Sequence, residues 1–244
     1  MTLWNAVRST YGGSAAFLIA CPLLALVPVV SELLQHIAEV HIGMYDSIAA
    51  AKAVERHPLR MALGMFKILS LTVPTYWISR FLFSRSPAFA ARLDSRSVGL
   101  FAYYLLFQMV LATANLALPV TSLAPFIALF VLGLLVAALV AAWGVASSLG
   151  NPAIGLVASV RLMARHLPWT IALQLIAMLP LMVIHYAAAA AALMGPKPLL
   201  WPILVADSLL VGYLSALIIS SSYFAAMHAA ERAGANLAGE TLAA

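Results

Sequence analysis

Between Arg96 and Arg161 the chain runs for 64 residues without an Asp, Glu, Lys or Arg. A soluble domain has no use for so long a charge-free stretch, whereas a bilayer core imposes one. A helix rises about 1.5 Å per residue, so about 20 apolar residues cross ~30 Å of hydrocarbon. The stretch therefore crosses twice and offers one place to turn, Pro119-Val-Thr-Ser-Leu-Ala-Pro125. It predicts a tight transmembrane hairpin around which the other helices pack.

Composition extends this constraint to the whole length. Only 9% of the 244 residues are charged, against about 25% in globular domains, and the mean hydropathy is +1.03. No soluble module stands apart, so residues 1–244 are expected to form a single integral membrane domain. The net charge of +5 comes from arginines at the ends of apolar blocks. That placement suits orientation signals and anionic lipids as partners, not nucleic acid. A lone Cys21 excludes an internal disulfide and any multi-cysteine metal site. Leu18-Ile-Ala-Cys21 has the form of a lipoprotein cleavage box. The apolar stretch before it is too short for a signal, however, and the run continues past it, so the block reads as a retained first span.

The expected fold is all-α: a polytopic membrane bundle of six helices, at about 14–34, 61–83, 98–120, 123–148, 168–193 and 200–227. Residues 1–13 read as a short polar lead. In 37–60, Ile37, Val40, Met44 and Ile48 recur at helical spacing beside Glu39, His41, Asp46 and Lys52, which predicts an interfacial amphipathic helix. Pro28, Pro74 and Pro180 interrupt spans one, two and five. Carbonyls freed at such depth must face protein or water, so the kinked sections should turn inward.

With a cytoplasmic N-terminus, Arg8, Arg80, Arg85, Arg92, Arg96, Arg161, Arg165 and Arg232 lie inside, against Lys52, Arg56, Arg60 and Lys197 outside. The excess favours both termini in the cytoplasm. Trp77, Trp143 and Trp169 then fall at inner boundaries and Trp201 at the outer one. Lys52-x-x-x-Arg56-His57-Pro58 and Arg161-x-x-x-Arg165-His166-x-Pro168 echo one another. They are either matched positions of an inverted repeat or basic pairs that close interfacial helices before a membrane entry.

The basic segment Val160-Arg-Leu-Met-Ala-Arg-His-Leu-Pro168 entering a span, and the closing Ser220-Ser-Ser-Tyr-Phe-Ala-Ala-Met-His228, carry a resemblance. The pattern resembles small six-span bacterial inner-membrane proteins related to the membrane domain of glycerophosphodiester phosphodiesterases. The resemblance covers most of the length, implies an envelope or lipid-associated role in the inner membrane, and supplies no catalytic residues.

Ionisable groups inside spans default to functional hypotheses. Lys67 lies about 10 Å from the outer side, and Asp207 and His185 about 15 Å. Glu32 and Asn115 sit near outer ends of spans one and three. These five residues are expected to share one outward-facing polar cavity, with Lys67 and Asp207 as an ion pair. Asp207 and Ser208, Gly212, Ser215 and Ser222 form a small and polar stripe that must meet helices or water. Glu32 and His36 are an i, i+4 pair that His185 could join at a metal. Without H-E-x-x-H or a similar motif, no metal and no cofactor are expected. Nor is there a P-loop, a G-x-G-x-x-G or a G-x-S-x-G. Small residues in rows at Gly133, Ala137 and Ala141, and at Ala138, Ala142 and Ala146, serve bundle packing or self-association.

The leading functional expectation is a non-enzymatic inner-membrane protein that handles a lipid or small hydrophobic molecule, or assists envelope machinery that does. Membrane lipids, a second copy or another membrane protein are the expected partners. A small transporter or channel using the polar cavity is the alternative, and a membrane-embedded enzyme the third.

Overall fold

The computed structural model describes residues 1–118 and 122–239. Among them all regular structure is helical, and six helices are long and apolar enough to cross a membrane. In chain order these are α2 (Pro22–His41), the kinked pair α4 (Pro58–Thr72) and α5 (Pro74–Ser84), α7 (Ser95–Ala117), α8 (Leu123–Ser148), α10 (Leu167–Met194) and α11 (Leu200–Ala233). Four further helices connect or precede them: α1 (Leu3–Ala20), α3 (Ile48–Ala53), α6 (Pro87–Ala91) and α9 (Leu156–Ala164). Most starts carry a local cause. Proline stands in the first turn of α2, α4, α5, α6 and α10, where its missing N–H costs nothing. Thr2, Ser47, Ser86 and Asp94 accept backbone N–H groups at the starts of α1, α3, α6 and α7.

The helix that organises the bundle is α11, not the hairpin. Most of α11 is buried, whereas little of α7 or α8 is. At 34 residues it is about 51 Å long, well beyond the hydrocarbon thickness. α1, α2, α5, α8 and α10 all pack on it. α7 and α8 form one flank, on which Tyr103, Leu106, Val110, Ile127 and Leu132 are exposed. The two helices are joined by Trp143 packed against Tyr104 and Phe107. Hydrophobicity does not select the centre here, because lipid accepts a leucine face as readily as another helix does. Close approach does. A Cβ added at Gly212 of α11 would overlap Val29 Cγ2 of α2. In α8 the row Ala138, Ala142 and Ala146 is fully buried, while Gly133 at the start of the other row is exposed. The residues Pro119–Thr121 of the expected hairpin turn lie outside the described residues.

The first span is also redrawn. Instead of a polar lead and a span at 14–34, the chain forms two helices that break at Cys21. Proline disfavours helical geometry in the residue before it, and Cys21, ahead of Pro22, has φ −128° and ψ 54°. Together α1 and α2 form a bent rod antiparallel to α11. Its ends are marked by the Met1 ammonium 3.8 Å from the Glu231 carboxylate and by His36 Nε2 3.3 Å from Asp207 Oδ2. Midway, Ser14 donates to Ser220 Oγ at 2.9 Å. The segment 37–60 is no single amphipathic helix: α2 runs on to His41, and only Ile48–Ala53 is helical before α4 begins.

Each half of the basic echo precedes the start of a span. His57 and His166 stand at the N-caps of α4 and α10 with a proline in the first turn, and the His57 ring accepts the Leu59 N–H. Of the three kinking prolines, Pro28 and Pro74 are buried as expected, but Pro180 is exposed. Near it Tyr11 reaches from α1 and donates to the Ala177 carbonyl at 2.9 Å, so a carbonyl of the turn before the proline is served from the bundle even though the ring faces outward.

Candidate functional site

Polar side chains from four helices and one loop converge at the end of the bundle that holds the α2–α4 connection and Lys197. On α2, Glu32, His36 and Glu39 stand at i, i+4 and i+7, which places them along one face. On α4, Arg60 and Lys67 are also seven residues apart, and α4 runs antiparallel beside α2. The two spacings match, so the pairs form rungs. Arg60 Nε donates to Glu39 Oε1 at 3.0 Å, and Lys67 Nζ lies 2.5 Å from Glu32 Oε2. From α11, Asp207 enters between them, and from α10, His185 Nδ1 lies 2.8 Å from Asp207 Oδ1. Tyr45, from the loop after α2, donates to Glu39 Oε2 at 2.9 Å. Lys197 Nζ donates to the Tyr45 carbonyl and so holds that loop to the start of α11.

His36 stands at the centre. Its Nδ1 lies 3.1 Å from the Tyr45 hydroxyl and 3.3 Å from Glu39 Oε2. Its Nε2 faces Glu32 Oε1 at 3.4 Å and Asp207 Oδ2 at 3.3 Å. Glu32, Asp207, Glu39 and His36 are all buried, at 2%, 3%, 4% and 6% exposure. Three buried carboxylates in a membrane demand compensation. Arg60 and Lys67 supply two full charges, and the imidazoles supply the rest when protonated. The Tyr45 phenol is held well above its usual range by burial and by the neighbouring Glu39 carboxylate, so it acts as a fixed donor.

These groups line a chamber of about 320 Å³, together with Gln35, Met44, Ala189, Ala190 and Leu193. At Lys67 and His185 the chamber adjoins a second space of about 260 Å³, which is mostly apolar. Its walls are Leu71 of α4 and Met182 and Tyr186 of α10, and its floor is Val211, Leu214, Ser215, Ile218 and Ile219 of α11. Tyr186 and Ile218 on its rim are exposed, so the crevice opens on the flank of the bundle, where lipid tails lie.

Of the five residues expected to share a cavity, Glu32, Lys67, His185 and Asp207 do so. Asn115 does not: it is exposed near the end of α7, away from the chamber lining. The expected Lys67–Asp207 pair is replaced by Lys67–Glu32, while Asp207 is held by His36 and His185. The mismatch arises because depth alone cannot say which helices are neighbours, and α4 packs on α2, not closely on α11. Glu39, Tyr45 and Arg60 also belong to the site, although the sequence pattern places residues 37–60 at the interface. Their signal was the doubled seven-residue spacing of Glu32/Glu39 and Arg60/Lys67.

The small and polar stripe of α11 continues away from the chamber, where Ser215 is buried and Gln174 of α10 donates to Ser222 Oγ at 3.2 Å. Comparison with known proteins adds no relative: no family model, curated protein or solved structure matches the chain.

Proposed function

We propose that this protein is a non-enzymatic membrane protein that takes an amphiphile, a lipid or a similar molecule, from the bilayer and holds its headgroup in the charged chamber. The observation that carries the reading is the join at Lys67 and His185 between an apolar crevice open to the flank and a buried ionic chamber. A tail in the crevice loses no apolar contact on leaving the lipid, and a headgroup in the chamber meets charges that hydrocarbon would not offer.

Ser215→Trp fills the crevice floor and leaves the chamber residues in place. Protein purified in mild detergent is expected to carry a defined amphiphile by native mass spectrometry, and the Trp variant to lose it about tenfold, the low end of what filling a well-formed pocket costs. Equal lipid complements in the two proteins would remove the reading.

A second reading, a small transporter, has its own support in a polar trail leading from the chamber along the α10–α11 seam. Ser215 Oγ, Gln174 Oε1, Thr170 Oγ1 and His228 Nδ1 are buried there without a hydrogen-bond partner among the described residues. Uptake or proton movement in vesicles holding only this protein would favour it over simple amphiphile binding.

The protein sits, in this reading, in a bacterial inner membrane with the chamber on the outer side and both termini cytoplasmic. The basis is the arginine excess at the end where Met1 meets Glu231. Single cysteines Ser122→Cys and Ser95→Cys, each exposed, go into a Cys21→Ser background. In cells with a permeable outer barrier, an impermeant thiol reagent is expected to label position 122 and spare position 95. The reverse pattern inverts the topology.

A further inference from the structure

We infer that Glu32, His36 and Asp207 form a binding site for a divalent transition-metal ion of the zinc class. One ligand atom from each lies within 4.8 Å of the other two, and all three residues are buried. Sequence spacing offers the Glu32/His36 pair with His185 as a possible third ligand; the structure puts Asp207, 171 residues beyond His36, in that place.

The first support is distance. Charge-assisted hydrogen bonds between nitrogen and carboxylate oxygen run about 2.7–2.9 Å. His36 Nε2 instead stands 3.4 Å from Glu32 Oε1 and 3.3 Å from Asp207 Oδ2. Ligands held about 2.0–2.1 Å from a tetrahedral zinc lie about 3.3–3.4 Å apart, so these two contacts, the second also a long hydrogen bond, have the length of tetrahedron edges.

The second support is proton accounting. Tyr45 spends its hydrogen on Glu39 Oε2 at 2.9 Å, leaving its oxygen an acceptor toward His36 Nδ1. Nδ1 therefore carries the imidazole hydrogen and points it at Tyr45 and Glu39. Nε2 then faces the Glu32 and Asp207 carboxylates, a geometry that a cation seated between the three atoms satisfies. The Glu39–His36 contact is also the carboxylate–histidine arrangement that orients metal-bound imidazoles.

The third support is Glu32 itself. At 2% exposure it makes no side-chain hydrogen bond among the described residues: Oε1 faces His36 without one, and Oε2 touches Lys67 as an ion contact that lacks hydrogen-bond alignment. Lys67 occupies Oε2, so Oε1, the oxygen that faces His36, is left for a further cation. Two carboxylates and a neutral imidazole balance a doubly charged ion. Glu39 is already balanced by Arg60, and Lys67 then favours an anion at the fourth position, hydroxide or a headgroup oxygen, on the chamber side.

The site stands independently of the amphiphile reading and is tested without it. Protein in detergent is stripped with a chelator and titrated with Co²⁺, then with Zn²⁺ in competition. One equivalent of Co²⁺ is expected to give the intense visible bands of a tetrahedral site, and Zn²⁺ to abolish them. His36→Gln should lose the bands while eluting as a monodisperse protein. Glu39→Gln, which weakens the support of the imidazole together with the Arg60 pair and leaves the three ligands in place, should keep them with about 10–100-fold weaker affinity. X-ray absorption of the zinc form of the unaltered protein reports nitrogen and oxygen neighbours at about 2.0–2.1 Å, so the test survives a variant that does not fold. No bands at excess Co²⁺, or bands unchanged in His36→Gln, overturn the proposal.

Discussion

Glu32→Gln and Lys67→Met are each expected to lower the stability of the folded protein by about 3 kcal/mol, and the double variant to recover most of that loss. Removing one member of a buried ion pair strands the other, at a typical ~3–5 kcal/mol. Lys67 keeps 21% of its side chain exposed, and either survivor can neutralise, so the lower end applies. Removing both leaves no stranded charge. The neutral amide of the introduced glutamine still fits beside His36, and the introduced methionine suits the apolar mouth of the crevice. The cycle is measured as thermal survival of monodisperse protein in detergent with a chelator present, so that the charges are those of the chain alone. Asp207→Asn with Lys67→Met serves as the contrast. These two residues have different partners, so their costs should add, within the coupling that a shared chamber transmits. Recovery in the Asp207 pair and additivity in the Glu32 pair would restore the pairing expected from depth and discard the one seen here.

That contrast also marks where the sequence was legible. Charge-free runs state how many times a chain crosses, because any charge in hydrocarbon is costly wherever the neighbours are. Six spans followed from this, and five of them needed no knowledge of packing. The broken first span is half legible: a proline such as Pro22 disfavours helical geometry in the residue before it, but the helix ahead of it is held by burial of Ala6, Val7, Thr10 and Phe17, which hydropathy does not report.

Neighbour relations were the illegible part. In water the most apolar helix is the buried one, whereas in lipid it is free to face outward. The longest apolar run, α7–α8, therefore lies on the flank, and α11, with its serines and Gly212, lies at the centre. The same blindness paired Lys67 with the wrong acid and drew Asn115 into the chamber. What corrects it is relational: two acids and two bases, each pair spaced by seven, on consecutive spans.

Arg80 shows a further consequence of reading charge without neighbours, and the last large effect is expected there. Counted as an orientation signal at the end of a span, it is among the most buried large side chains, at 1% exposure. Its Nε donates to the Phe89 carbonyl at 3.0 Å and its Nη1 to the Ser148 carbonyl at 3.1 Å. The second of these lies in the last turn of α8, where carbonyls lack helical partners and a cation is favoured. The guanidinium also stacks 4.0 Å from the Phe89 ring centroid and 5.0 Å from that of Tyr76. One side chain thus ties α5, the α6 segment and the end of α8. Arg80→Met keeps the volume and removes the donors. Each stranded acceptor costs about 1–3 kcal/mol and a lost cation–π contact about 0.5–2, so with two of each a loss of at least about 3 kcal/mol is expected. Arg80→Lys keeps the charge but not the planar fork that reaches two carbonyls while lying on a ring, so it should recover less than half. Both are read as loss of monodisperse protein on heating in detergent, followed by the fluorescence of Trp77 and Trp143. If Arg80→Lys matches the unaltered protein, charge alone is what the site requires, and the tie between α5 and α8 is not made by geometry.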